Sequence, residues 1–307
     1  MVKRLLSCNA SDFACFTPEE LKQSIKASEG RTIVSENVVI REPLISDITN
    51  AEVARAFGAD LILLNALDVL NPIILGMYGY TSLAEAKPNQ NVVRYLKKLV
   101  GRPIGANLEP VDSTAKMVES KLDIPEGRTV SEKTLKAANE LGLDFVVFTG
   151  NPGTGVSNAQ IVEAIKLAKQ HFNGLIVAGK MHGAGVDEPV VNLNAIRKFI
   201  EAGADIILVP AVGTVWGVTE EEIQEAVNIA HEAGALVMST IGTSQESADP
   251  ETIQRIAIDN KKLGVDMQHI GDAGPGGMAP PENIYAMSKA IRGARHTISM
   301  MARSIFR

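Results

Sequence analysis

The stretch LIVAGKMHGAG (175–185) ends an apolar run in Lys180 and His182, two places apart and ringed by glycines. A lysine so placed can attack a carbonyl as a Schiff-base nucleophile, transfer a proton once desolvation lowers its pKa, or hold an anion. A histidine can move a proton near neutral pH. Other apolar runs end the same way. IGANLE delivers Asn107 and Glu109, LILLNA delivers Asn65, PLISDI ends in Ser46 and Asp47, and DMQHIGD carries His269 and Asp272. Two glycine-rich stretches, GNPGTGVSNAQ (150–160) and GDAGPGGMAPPEN (271–283), place free backbone amides ahead of helices, with GTSQ (242–245) a third short loop. Amides at a helix start suit a phosphate or carboxylate.

These residues are scattered along the chain, so the fold must bring the run ends together. One local pattern recurs in AFGADLILL, ELGLDFVVF, EAGADIILV, EAGALVMST and KLGVDMQHI. Each reads as a helix closing on a C′ glycine and passing quickly into a buried strand. Gly203, Gly234 and Gly264 mark three such joints, about 30 residues apart, the length of one helix, one strand and two loops. The strands lack apolar/polar alternation, as parallel strands covered on both faces do. Eight are expected, at 43–48, 60–66, 103–109, 144–150, 175–182, 205–211, 235–242 and 266–272.

Capping boxes start the helices between them, at Thr49/Glu52, Thr129/Glu132, Ser157/Gln160 and Thr219/Glu222, and Asp249-Pro250 supplies another start. Eight such units without a flexible linker predict an α/β fold, a (β/α)8 TIM barrel in one domain. An open doubly wound sheet fits less well, since no GxGxxG follows the first strand. Residues 1–42 form an N-terminal extension, with a helix at 17–28 and an optional hairpin around Glu36-Asn37, closing the bottom of the barrel. The barrel spans 43–293 and a tail 294–307. The long loops at 67–89 and 109–128 suit a lid or a subunit contact.

In such a barrel the C-terminal strand ends are the active face. The polar residues collect at that one end, which points to an enzyme. The expected catalytic set is Lys180, Glu109, His182 and Asp47, with Asn65, Asn107, Asn151 and His269 binding substrate. Gly242, Thr243, Ser244, Gly271, Gly274, Gly276 and Gly277 form the expected phosphate cradle, because these barrels often bind phosphate after strands seven and eight. No cofactor is required by the sequence. A divalent metal such as magnesium, held by Asp47, Glu109, His182 and Asp272, stays open. The sole tryptophan, Trp216, is read as packing.

The net charge of −6 over 307 residues excludes nucleic acid and an anionic membrane as main partners. Two cysteines without CxxC spacing form neither a disulfide framework nor a thiolate metal site. No apolar stretch is long and unbroken enough to span a bilayer. A cytoplasmic homo-oligomer acting on a small anionic metabolite is expected.

The strand ends and the glycine loops after strands seven and eight resemble the phosphate-binding class of TIM-barrel enzymes, the sugar-phosphate isomerases, epimerases and aldolases. Lys180 and Glu109 are similar in type to the acid/base pair of hexosamine-phosphate epimerases. That resemblance implies proton transfer beside a carbonyl, or aldol-type cleavage, on a sugar phosphate. PLISDITNAEVARAFGADLILLNA (43–66) also looks like the first βαβ unit of the phosphoenolpyruvate mutase/isocitrate lyase group, with GKMHG (179–183) a faint echo of that group's Lys-Lys-Cys-Gly-His loop. This second resemblance implies mutase or lyase chemistry. A metal-dependent hydrolase and a non-catalytic metabolite sensor are further alternatives.

Overall fold

A computed structural model describes residues 2–307. Eight parallel strands close into a barrel in sequence order. They are β1 (Thr32–Val38), β2 (Leu61–Asn65), β3 (Ile104–Asn107), β4 (Phe145–Phe148), β5 (Leu175–Gly179), β6 (Ile206–Pro210), β7 (Leu236–Ile241) and β8 (Met267–Ile270). Two helices precede β1, α1 (Ala10–Cys15) and α2 (Pro18–Lys26). Each connection then carries one: α3 (Asn50–Ala56), α4 (Val92–Val100), α5 (Glu132–Leu141), α6 (Asn158–His171), α7 (Leu193–Ala202), α8 (Glu220–Glu232) and α9 (Pro250–Lys262). The last, α10 (Pro281–Ala302), is broken at Gly293, where φ is 71°.

Strand alternation divides the apolar residues into two layers. Leu61 and Leu63, Phe145 and Val147, Leu175 and Val177 fill the barrel interior. Ile62 and Leu64, Val146 and Phe148, Ile176 and Ala178 face the helices. Burying each such side chain contributes roughly 1.5–3 kcal/mol. Gly105 is an interior residue of β3, and a Cβ there would stand 2.3 Å from the Phe145 ring. Glycine therefore makes room for the aromatic ring.

The first strand differs from the expectation. β1 is Thr32–Val38, and 43–48 is a loop held by an Ile45–Ile48 bridge. Residues 32–38 are thus barrel wall, neither a hairpin nor part of an appended extension. The reason lies in the polar run Ser35-Glu36-Asn37, which resembles a turn but is buried in the wall. The loop at 43–48 leaves Ile45, Asp47 and Ile48 exposed. The capping boxes at Thr49 and Thr219 form as expected, and Ser157 and Asp249 cap their helices. The helix expected from Thr129 starts two residues later, where Ser131 and Thr134 form the box.

The floor of the barrel, at the N-terminal strand ends, is built from both ends of the chain. Leu5, Leu6, Phe13, Leu21 and Ile25 pack with Met300 against the interior layer. The backbone amide of Ser11 donates to the Arg307 carbonyl at 3.0 Å, and Arg303 donates to the Asn9 side chain at 2.9 Å. Arg102 donates to the Met300 carbonyl and lies over the Phe13 ring. Asp60 and Arg292 form a fully buried ion pair nearby, and Asp60 also accepts from the Ile33 amide. Among the described residues, no helix is long and apolar enough to cross a membrane.

Candidate active site

At the opposite end a cavity of about 200 Å³ opens among the C-terminal strand ends. That is the liquid volume of roughly seven waters, room for a small metabolite. Continuing the interior positions of β1, β2, β3 and β8 upward leads from Val34 to Glu36, from Leu63 to Asn65, from Gly105 to Asn107 and from Met267 to His269. The interior layer thus turns polar at one height.

These groups form one network. Glu36 accepts from Asn107 Nδ2 at 2.6 Å through Oε1, and Oε2 meets His269 Nε2 at 2.8 Å. Asn107 Nδ2 also reaches Asn65 Oδ1 at 3.1 Å. Asn65 Nδ2 donates to Asn151 Oδ1 and to Asp272 Oδ2, at 2.9 and 2.8 Å. Asn151 returns a bond to Asn65 Oδ1 at 3.0 Å. Glu109 stands behind Asn151, accepting its backbone amide and its Nδ2, while Arg128 donates to Glu109 at 2.6 Å. Glu109 is 1% exposed and does not line the cavity. It anchors Asn151, which does line the cavity.

Two titratable groups on the cavity wall are shifted in opposite directions. The Asp272 carboxyl is pushed up to about 8, first by burial and then by the charge of Glu36, against the pull of the Asn65 hydrogen bond. It therefore holds a proton at neutral pH. Burial pushes the His182 imidazole down. Its Nδ1 accepts the Ala184 amide at 3.0 Å. A neutral ring that accepts at Nδ1 carries its proton on Nε2, so His182 is fixed as a donor through Nε2.

Lys180 departs from its expected role, and strand parity is the reason. Ile176 and Ala178 face the helices, and Lys180 continues that set, while Met181 turns inward and lines the cavity. The Lys180 ammonium is 1% exposed and donates to Glu188 at 2.7 Å. Glu188 also accepts the Asn158 amide at the start of α6. Lys180 therefore joins strand to helix, and it makes no pair with Glu109. Asp47 is exposed on its loop and absent from the cavity wall, because the segment carrying it is not a strand.

Asn65, Asn107, Asn151 and His182 line the cavity, and His269 lies behind Glu36. Of the expected phosphate cradle, Gly242, Thr243, Ser244 and Gly271 line it. Gly274, Gly276 and Gly277 do not; they pack against Met278, Leu44 and Val38. Thr243 and Ser244 take positive φ of 56° and 71°, costing about 1–3 kcal/mol each. Glu246 lies between the last two loops, 1% exposed, and its Oε1 accepts the Ala273 amide at 2.8 Å. A protein carboxylate thus takes a loop amide expected to face phosphate. Sequence reasoning misses Glu36 and Glu246: the first sits in a turn-like run, the second just past the GTSQ loop.

Of the four residues considered for a metal, His182 and Asp272 line the cavity, while Asp47 is on a surface loop and Glu109 is held by Arg128. Among the described residues, no group of three or more His, Cys, Asp and Glu is placed to hold a metal ion.

Fold and mouth together define a (β/α)8 barrel with a buried polar network at its C-terminal face. The chain belongs to the family described as Domain of unknown function (DUF7916), whose model matches residues 6–307. No curated protein matches the sequence. Among solved structures it is similar to 2,3-dimethylmalate lyase, a PEP mutase/isocitrate lyase superfamily member, in its triclinic crystal form. Identity is 13% and the TM-score 0.50, covering 96% of this chain and 95% of that one. Oxaloacetate acetylhydrolase aligns at 15% identity and a TM-score of 0.46, over 82% and 79% of the two chains. Thiamine phosphate pyrophosphorylase from Pyrococcus furiosus aligns at 12% and 0.47, over 86% and 96%. At these identities the likeness is one of fold.

Proposed function

We propose that the mouth is the active site of an enzyme that performs acid–base chemistry beside a carbonyl group, and that carbon–carbon cleavage of the retro-aldol type is its reaction. The observation that carries this reading is the pairing of Asp272, held protonated, with His182, held neutral, on the wall of one cavity. Groups pushed to opposite protonation states in one cleft are what acid–base catalysis needs. The likeness in fold to a lyase supports cleavage over isomerisation.

The steps balance without an external reagent. The Glu36 carboxylate, on the cavity wall, takes the proton of the substrate's β-hydroxyl. The carbon–carbon bond breaks, the hydroxyl carbon becomes a carbonyl, and the electron pair moves to the neighbouring carbonyl as an enolate. His182 Nε2–H stabilises that oxygen, while the Asn65 and Asn151 amides, their protons already engaged, hold Asp272 in place. Asp272 then protonates the enolate carbon. Proton return from Glu36 to Asp272 resets the site.

A sugar phosphate has less support as substrate. Among the described residues the cavity wall carries no lysine or arginine, and Glu246 takes the Ala273 amide. The test is carbonyl release by the purified protein from a panel of small β-hydroxycarbonyl compounds. Turnover should fall by about 10²–10⁴ in Asp272→Asn. Full turnover in both Asp272→Asn and His182→Ala would refute the assignment, and ligand binding without any turnover would favour the sensor reading.

A further inference from the structure

The cavity wall carries three carboxyl groups, Glu36, Glu246 and Asp272, and among the described residues no lysine or arginine. Two of its buried acceptors have no partner. Glu246 is 1% exposed, yet its Oε2 meets no donor. Asn107 is 4% exposed, and its Oδ1 is equally unmatched. The Asn107 amide cannot turn to hide this atom, because its Nδ2 already serves Glu36 and Asn65. Buried acceptors left unpaired are costly and rare in native proteins. These two acceptors lack donors and the wall lacks positive charge, the reverse of a phosphate site.

We infer that the ligand of this cavity bears a protonated amine, which donates to Glu246 Oε2 and Asn107 Oδ1. An ammonium group offers three donors and one positive charge, and no acceptor to clash with the carboxylates. A desolvated carboxylate holds such a group by charge-assisted hydrogen bonds. Glu246 is already held in place to receive it, with Oε1 tied to the Ala273 amide and its backbone carbonyl to Asn283. A divalent cation would also supply charge, but no three-ligand group is assembled for one among the described residues. This inference rests on the mouth being the active site and narrows its substrate to an amino-bearing hydroxycarbonyl compound.

Matched pairs that exchange an ammonium for a hydroxyl test it on the unaltered protein. D-glucosamine against D-glucose, and 2-amino-1,3-propanediol against glycerol, are compared by ligand-observed NMR at neutral pH and millimolar concentration. The amine of each pair should bind about tenfold or more tightly, the discrimination of one charge-assisted hydrogen bond. Glu246→Gln, which keeps the shape and removes the charge, should abolish that preference. Equal binding within both pairs, binding of neither amine, or displacement of the amines by equimolar magnesium chloride would each overturn the inference. The two readings fail separately. Turnover of substrates without an amine sinks only the amine; an amine preference without turnover of any compound sinks only the catalysis.

Discussion

Asn65 and Asn151 exchange side-chain amides across the mouth, each donating Nδ2 to the other's Oδ1, at 2.9 and 3.0 Å. The exchange fixes both amide orientations and leaves Asn65 a second proton for Asp272. Two loops far apart in sequence are thereby held to one strand end. The protonation of Asp272 is set within this frame.

Asp272 makes activity and stability depend on pH in a defined sense. As a general acid it works while protonated, so turnover should fall as pH rises through about 8. Stability follows the same proton. Between the ordinary carboxylate range and about pH 8 the folded chain keeps a proton that the unfolded chain has released, so stability declines as pH rises across that window. Asp272→Asn cannot ionise. Its melting temperature should match the wild type near pH 4 and exceed it by a few degrees near pH 9. A constant difference across that range in calorimetry would refute the shift.

The Lys180–Glu188 pair should show an asymmetry. Removing Glu188 strands an ammonium that is 1% exposed, whereas removing Lys180 leaves a carboxylate that is 28% exposed and still holds the Asn158 amide. Glu188→Gln should cost about 3 kcal/mol and Lys180→Met about 1 kcal/mol or less in urea unfolding. Lys180→Met should keep turnover within about threefold. Borohydride should trap no adduct at Lys180. An adduct there would restore the Schiff-base role.

Arg128 acts through Glu109 on Asn151. Arg128→Met should lower kcat about tenfold with little change in KM, since it loosens the Asn151 amide that orients Asn65 toward Asp272. Arg128→Lys should restore part of the loss. A rise in KM alone would make Arg128 a binding determinant instead.

Gly105→Ala tests the barrel interior. The added methyl meets the Phe145 ring at 2.3 Å, which the ring cannot escape within a closed barrel. A loss of about 1–3 kcal/mol in chemical denaturation is expected. The Gly105→Ala/Phe145→Leu double variant should recover part of it.

Much of the architecture is legible in the sequence because burial on two faces leaves a strong mark. Seven strands follow a helix and a glycine, most of them as apolar runs. The eighth, β1, is hidden because Ser35, Glu36 and Asn37 interrupt its apolar character, and they do so as wall residues beside the site. Asn65, Asn107 and Asn151 stand out because each ends a run. Lys180 misleads because a spacing of two fixes a shared face without saying which face. Only the register of β5 against its neighbours, with Leu175 and Val177 inside, turns Lys180 toward α6. Protonation states lie beyond the reach of sequence, since they come from groups that meet only after folding.

The floor of the barrel has a practical consequence. Segments 5–13 and 300–307 clasp one another there, so each is part of the other's seat. Trimming residues 300–307 would unfasten the N-terminal segment as well, and a short deletion should behave as a loss of two elements. A surface anchor fused after Arg307 would leave the mouth pointing away from the support, open to solution.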